Sequence, residues 1–276
     1  MNRQNRLTTT LALLSLWAIT IWTVPPVHAE FSETLTIAAA NSLKDILRKV
    51  VPLFEADHRD LTVRVVYGPS QNLRDQIEQG APVDVFLPSL FEEVEQLDQK
   101  GLVINGTKRV YASTAVVLVT GDTLPAPIAS IADLKTIPIR RVAIGDPKTS
   151  SVGKVATQFL KYSQLDQQLR SQYIYGEHSR AVLDLVAKGE AEVGIVYRTD
   201  AVSNPKIRIL DTAPPGSHTP VRYGAAVVWT SRNVARGREF IEFLERPQIQ
   251  TLLQQLGFDR VPSEVGLVRR REGVRP

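Results

Sequence analysis

The sequence predicts an α/β protein of two lobes, each a mixed, mostly parallel sheet flanked by helices, joined by two hinge strands. Three observations predict it. Apolar runs of strand length alternate with amphipathic segments over residues 35–101, the pattern of strand–helix–strand units. A second run of the same kind covers residues 141–197. Between them residues 120–138 carry three prolines and polar loop residues, which separates the two runs.

In order, Leu35–Ala38 reads as a strand and Ser42–Phe54 as a helix with Leu43, Ile46, Leu47, Val50 and Phe54 on one face. Ser42 and Asp45 have the spacing of a capping box. Leu61–Val66 alternates as a strand, Ser70–Gln79 is helical with Gly80 as its stop, and Val83–Leu87 is a third strand. Ser89 and Glu92 are expected to cap a third helix that ends at Gly101. The run Ala112–Val119 reads as one apolar strand. After the proline-rich stretch come a strand at 141–144, a helix at 152–162, a short strand near Tyr173, a helix at 179–188 and a strand at 193–197. Tyr223–Trp229 is again apolar, and two amphipathic helices, 234–244 and 248–256, flank Pro247. Lobe I is expected at 30–112 and 228–276, and lobe II at 113–227, with a hinge near Ser113 and Tyr223. Ligands of open α/β sheets bind outside the carboxyl ends of strands, so facing lobes would share one cleft.

Residues 1–29 read as a cleavable signal peptide: Arg3 and Arg6, an apolar stretch at 7–24, Pro25 and Pro26, then Val27-His28-Ala29. The apolar stretch is near spanning length, but the prolines and Ala29 favour cleavage over an anchor. A mature chain from Glu30 would hold about 247 residues (276 − 29), enough for a core without disulfides. There is no cysteine, which excludes disulfides, thiolate metal sites, a catalytic thiol and a lipid-modified cysteine. The expected location is the periplasm, as a free monomer. Without Arg3 and Arg6 the chain has 31 basic and 29 acidic residues, a net +2. Arg269, Arg270, Arg271 and Arg275 supply much of the basic excess. No basic stripe is interleaved with aromatics, so nucleic acid is not an expected partner.

Enzyme signatures are missing from the chain. It has no G-x-S-x-G elbow and no H-E-x-x-H. The segment Gly145–Lys154 resembles a phosphate loop only faintly, because Val155 stands where that loop needs Ser or Thr. The segments that remain are serine-led helix starts: Ser42, Ser70, Ser150-Ser151-Val152 and His178-Ser179. A helix start offers unpaired N–H groups and the positive end of a dipole, which holds an anion without a cationic side chain. Each serine taken alone is more simply a cap; four such starts in a two-lobed chain favour an anion site. Tyr197, at the end of a buried strand, reads either as an edge-of-core tyrosine or as a phenolic donor in the cleft. Arg180 is expected to pair with Glu177 or Asp184.

Taken together, AAANSLKD (38–45), the Ser70 segment running through QIEQGAPVDVF, Gly145-Asp146-Pro147, GIVYRTDA (194–201) and LERPQIQTLLQQLGF (244–258) resemble, in order, the periplasmic molybdate-binding proteins of ABC importers. The resemblance covers about residues 34–260. It implies a type II-like periplasmic binding protein fold and a tetrahedral dianion held between lobes by neutral donors. Ser42 and Ser70 would supply hydroxyl and backbone N–H, Val152 and Ser179 backbone N–H, and Tyr197 its hydroxyl. Two departures are visible: Pro69 and Gln71 flank Ser70, and Ser179 replaces an apolar residue, which could add a hydroxyl donor. The implied ligand is molybdate, with tungstate beside it, and the implied partners are a permease and an ATPase. No cofactor and no direct cation ligand are expected. The alternatives are a receptor for sulfate or another tetrahedral oxyanion, an effector sensor without transport, and an enzyme. The export signal opposes a cytoplasmic regulator, and the missing nucleophile–base pair opposes an enzyme.

Overall fold

The computed structural model describes residues 33–121 and 128–261. The expected signal segment and the arginine-rich tail lie outside the described residues. Lobe I opens with β1 (Glu33–Ala40), α1 (Lys44–Asp57), β2 (Leu61–Gly68), α2 (Ser70–Glu78), β3 (Val85–Leu87), α3 (Phe91–Gln99) and β4 (Arg109–Thr114). Lobe II follows with β5 (Val116–Thr120), β6 (Val142–Gly145), α4 (Ser151–Tyr162), α5 (Asp166–Leu169), β7 (Tyr173–Gly176), α6 (Ser179–Ala187), β8 (Val193–Tyr197), α7 (Arg198–Ala201) and β9 (Arg208–Thr212). The chain then returns to lobe I with β10 (Val221–Val227), α8 (Val234–Glu245) and α9 (Pro247–Gln255). Among the described residues no helix is long and apolar enough to cross a membrane.

The two sheets have the same plan. Their strand orders are β2-β1-β3-β10-β4 and β7-β6-β8-β5-β9. In each, the first two pairings are parallel and the last two antiparallel, so a single strand, β10 or β5, runs against the other four. Central parallel strands are covered on both faces by helices. Leu35–Ala40, Val85–Leu87 and Val193–Tyr197 are accordingly buried throughout. Helix α1 buries Ile46, Leu47, Val50 and Phe54, and the Phe54 ring meets Phe240 of α8 edge-on at 5.0 Å. Pro247 sits at the first turn of α9, where its missing N–H costs nothing.

Several boundaries differ from the sequence reading. The apolar run Ala112–Val119 is two strands in two sheets: Thr114 pairs with Val221 in the first, and Val116 with Tyr197 in the second. Ala115 alone separates them, and hydropathy cannot register a change of partner between strands that are both buried. The return crossing is residues 213–220, after Thr212 of β9 and before Val221. Thus β10 belongs to lobe I, and the expected lobe II boundary at 227 falls too late. The hinge expected near Ser113 and Tyr223 lies a few residues away, at Ala115 and 213–220. Near the first crossing, Ser113 and Asp259 exchange backbone hydrogen bonds of 2.9 and 2.7 Å. Strand β9 and the short helices α5 and α7 were not foreseen, because segments of four or five residues carry too few periods to read.

Gly145 and Gly153, the glycines of the loop-like segment, serve packing. A side-chain carbon on Gly145 would stand 2.6 Å from the backbone N of Gly153, and one on Gly153 would strike the Gly145 carbonyl. The end of β6 therefore abuts the first turn of α4. Gly153→Ala should displace that turn and destabilise the fold by about 1–3 kcal/mol, as overpacking does. A thermal melt followed by circular dichroism checks this, and an unchanged melting temperature would refute the close approach.

Candidate functional site

Four helix starts converge on one small cavity between the lobes. Its walls include Asn41 and Ser42 before α1, Pro69 and Ser70 at α2, Ser89 after β3, Ser150, Ser151 and Val152 at α4, His178 and Ser179 at α6, and Tyr197 at the end of β8. All five residues singled out from sequence, Ser42, Ser70, Val152, Ser179 and Tyr197, are among them. The cavity volume is about 20 Å³. A single water needs roughly 10–15 Å³ on the same measure, so the cavity is too small for a sugar or peptide.

The helix starts leave donors over. In α2 the first intrahelical bond runs from Leu73 N–H to the Pro69 carbonyl, which leaves the N–H groups before Leu73 for outside partners. In α4 the Ser150 hydroxyl caps Gly153 N–H at 3.4 Å, and Ser151 Oγ is buried without a partner. In α6 the cap is His178, whose Nδ1 accepts from Ala181 N–H at 3.1 Å. Ser179 is therefore not the cap, and its hydroxyl is released from that role. Ser42 lies in a short 3₁₀ turn (Asn41–Leu43) that runs into α1, and no side chain caps that turn or α1. The expected Ser42–Asp45 capping box does not form, because both side chains turn to partners distant in sequence. Ser89 likewise makes no cap to α3, which starts after Leu90.

A hydroxyl network orients the serines. Tyr223 OH donates to Ser42 Oγ at 3.2 Å and lies 3.3 Å from Thr199 Oγ1. Ser89 N–H donates to Ser70 Oγ at 3.2 Å, and Ser89 Oγ lies 3.2 Å from Ser70 Oγ and 3.4 Å from Tyr197 OH. The network crosses between the sheets, since β8 carries Tyr197 and β10 carries Tyr223. Each bond received by a serine oxygen leaves that hydroxyl proton free to point elsewhere, and chained donors polarise one another. Burial pushes the Tyr197 and Tyr223 hydroxyls well above their ordinary range, so both remain protonated donors. The wall holds no carboxylate and no Lys or Arg. Its one imidazole, His178, is pushed down by burial, which favours the neutral ring. Such a wall offers hydrogen bonds and dipole ends without formal charge.

Ion pairs close the cleft beside this cavity. Lys154 of α4 reaches Glu92 of α3 at 2.6 Å. Arg180 of α6 pairs with Asp45 of α1 and stands 3.5 Å from Asp200 of α7. The expected partners Glu177 and Asp184 are replaced because Arg180 points across the cleft rather than along its own helix. A second cavity of about 400 Å³ opens here, lined in part by Lys44, Arg48, Arg180 and Asp200. The sequence reading missed Ser89, Tyr223 and Asp200. Ser89 lies just past the carboxyl end of β3, a position that could have marked it; Tyr223 carried no such signal.

The chain belongs to the bacterial extracellular solute-binding proteins. That family matches residues 35–259, which spans both sheets and every wall of the cavity. Among individual relatives, the molybdate-binding protein ModA of Escherichia coli is 29% identical over 234 residues, covering 81% of this chain and 88% of its own. The molybdate-binding protein ModA of Haemophilus influenzae is 28% identical over 230 residues, covering 82% and 90%. Among solved structures, the periplasmic molybdate-binding protein of Azotobacter vinelandii superposes with a TM-score of 0.74 at 20% identity, covering 83% of this chain and 100% of that one. This last likeness concerns the fold.

Ser42→Ala and Ser70→Ala should each weaken anion binding by roughly ten- to a hundredfold, as loss of a hydrogen bond to a charged group does. Neither hydroxyl caps its helix, so unliganded stability should fall by less than the ~1 kcal/mol of a lost cap. Calorimetric affinity and an unliganded melt, measured together, check this. A fall in stability with unchanged affinity would return both serines to a structural role.

Proposed function

We propose that this solute-binding protein captures molybdate, and tungstate with it, in the small cavity and delivers it to an ABC importer. The observation that carries the reading is the cavity wall: donors from four helix starts and Tyr197, contributed by two lobes, with no carboxylate facing in. Molybdate is fully deprotonated near neutral pH and needs donors only. Phosphate carries a proton there, and a buried P–OH without an acceptor would be costly. Sulfate is also a donor-only dianion; it is smaller than molybdate, so the fit of the pocket discriminates between the two. The names of the relatives support the same ligand. Ser42 and Ser70 act through hydroxyl and N–H, Val152 and Ser179 through N–H, and Tyr197 through its hydroxyl. Permease and ATPase are the partners, the protein acts as a monomer, and no enzymatic step is involved.

Molybdate and tungstate should raise the melting temperature, and sulfate and phosphate much less at equal concentration. A ligand specific to the folded state adds about 2.7 kcal/mol at a hundred times its dissociation constant, which a thermal melt resolves. A sulfate shift equal to that of molybdate would favour the sulfate receptor instead.

Export by cleavage after Ala29 belongs to the same reading. N-terminal sequencing of the periplasmic fraction should begin at Glu30, and an intact membrane-bound chain would contradict it.

A further inference from the structure

Four acids are buried among the described residues: Asp84, Glu93, Asp166 and Asp200. Three are satisfied. Asp84 accepts from Thr36 N–H, Ser231 Oγ and Asn233 Nδ2. Glu93 accepts from Arg74, and Asp166 from Arg170. Asp200 differs: no short hydrogen bond reaches either of its buried carboxylate oxygens, and what faces them is the Ser179 hydroxyl and the Arg180 guanidinium. Arg180 pairs with it through Nε at 3.5 Å, while the same guanidinium hydrogen-bonds Asp45 of the opposite lobe through a terminal nitrogen, so one cation serves two carboxylates. Asp200 follows Tyr197 by three residues and interacts with Ser179, Tyr197 and Tyr223. It thus stands directly behind donors of the anion cavity.

We propose that Asp200 is a proton-binding site coupled to that cavity: capture of a dianion draws one proton onto its carboxyl, and this uptake relieves the charge that the neutral donors leave uncompensated. The inference rests on the reading of the cavity as a dianion site. Two negative charges brought close in a buried place cannot both persist without a cation or a proton. The wall supplies no Lys or Arg, and Arg180 is already shared with Asp45. Lys44 and Arg48 on the lobe I side, and His178 and Asp184 beside Arg180 on α6, share the larger cavity with Asp200. Burial already pushes the Asp200 carboxyl up to about 6, reinforced by Asp45 and opposed by Arg180 and Ser179. A dianion at the cavity raises it further. Between the free and bound values the free protein carries aspartate and the complex carries the acid, so binding takes up a proton. Affinity then strengthens as pH falls through the bound value and levels off below about 6.

Calorimetry of molybdate binding to the full protein, in buffers of different ionisation enthalpy, counts the protons. Uptake should approach one per ligand just above the free value, and affinity should rise by up to about tenfold per pH unit as pH falls. Asp200→Asn should abolish the uptake and flatten the pH profile. Binding by the native protein without proton exchange overturns the proposal and leaves the ligand reading intact. Uptake that persists in Asp200→Asn overturns it by moving the proton to another group. No molybdate binding at any pH removes both. Should the variant fail to fold, the carbon-13 shift of the Asp200 carboxyl in native protein decides: a change to the protonated position on adding molybdate supports the proposal, and an unmoved signal overturns it.

Discussion

A buried anion can be held without a cation only where several N–H and O–H groups converge at one point from which water is excluded. No single helix meets that demand, because its free N–H groups occupy one turn and face one direction. This chain brings such groups together by ending four strands or loops at one place and starting a helix from each. The starts at Ser42 and Ser70 come from lobe I, and those at Ser151 and Ser179 from lobe II. Each sheet positions its helices through the same pairing plan, which sets strand ends of both lobes facing one another across the cleft.

The hydroxyl network makes the convergence specific. Tyr223 belongs to the strand that returns to lobe I, yet it bonds Ser42 of that lobe and contacts Thr199 of lobe II. Tyr197 ends a lobe II strand and meets Ser89 of lobe I. The two tyrosine rings lie 6.3 Å apart and join one continuous apolar core that runs between the lobes. The contacts that join the lobes are therefore also the contacts that orient the donors. The ion pairs Arg180–Asp45 and Lys154–Glu92 act at the margin of this arrangement, where solvent weakens them. Asp200 is different, because it is enclosed and must share one guanidinium, Arg180, with Asp45.

Much of this was legible in the sequence. Alternating strands and helices, serines at helix starts and a tyrosine at a strand end are local patterns, and each involves residues within a turn or two of one another. The five cavity residues named from sequence do meet. Where the reading failed, the deciding partner was remote. Ser42 and Asp45 have capping-box spacing, but Tyr223 and Arg180, more than a hundred residues away, claim their side chains. Ser89 looked like a cap and instead bonds Ser70 and stands near Tyr197.

By itself the sequence determined the elements, the two α/β runs and the neutral, donor-rich character of the helix starts, because backbone periodicity and capping chemistry act over a few residues. Tertiary structure alone decided where the chain changes sheets, at Ala115 and residues 213–220, since a buried strand looks the same whichever sheet receives it. It also decided which hydroxyls face the cavity, the size of that cavity and the sharing of Arg180 between Asp45 and Asp200. Those depend on side chains brought together across two lobes, and no local pattern records which residues will meet there.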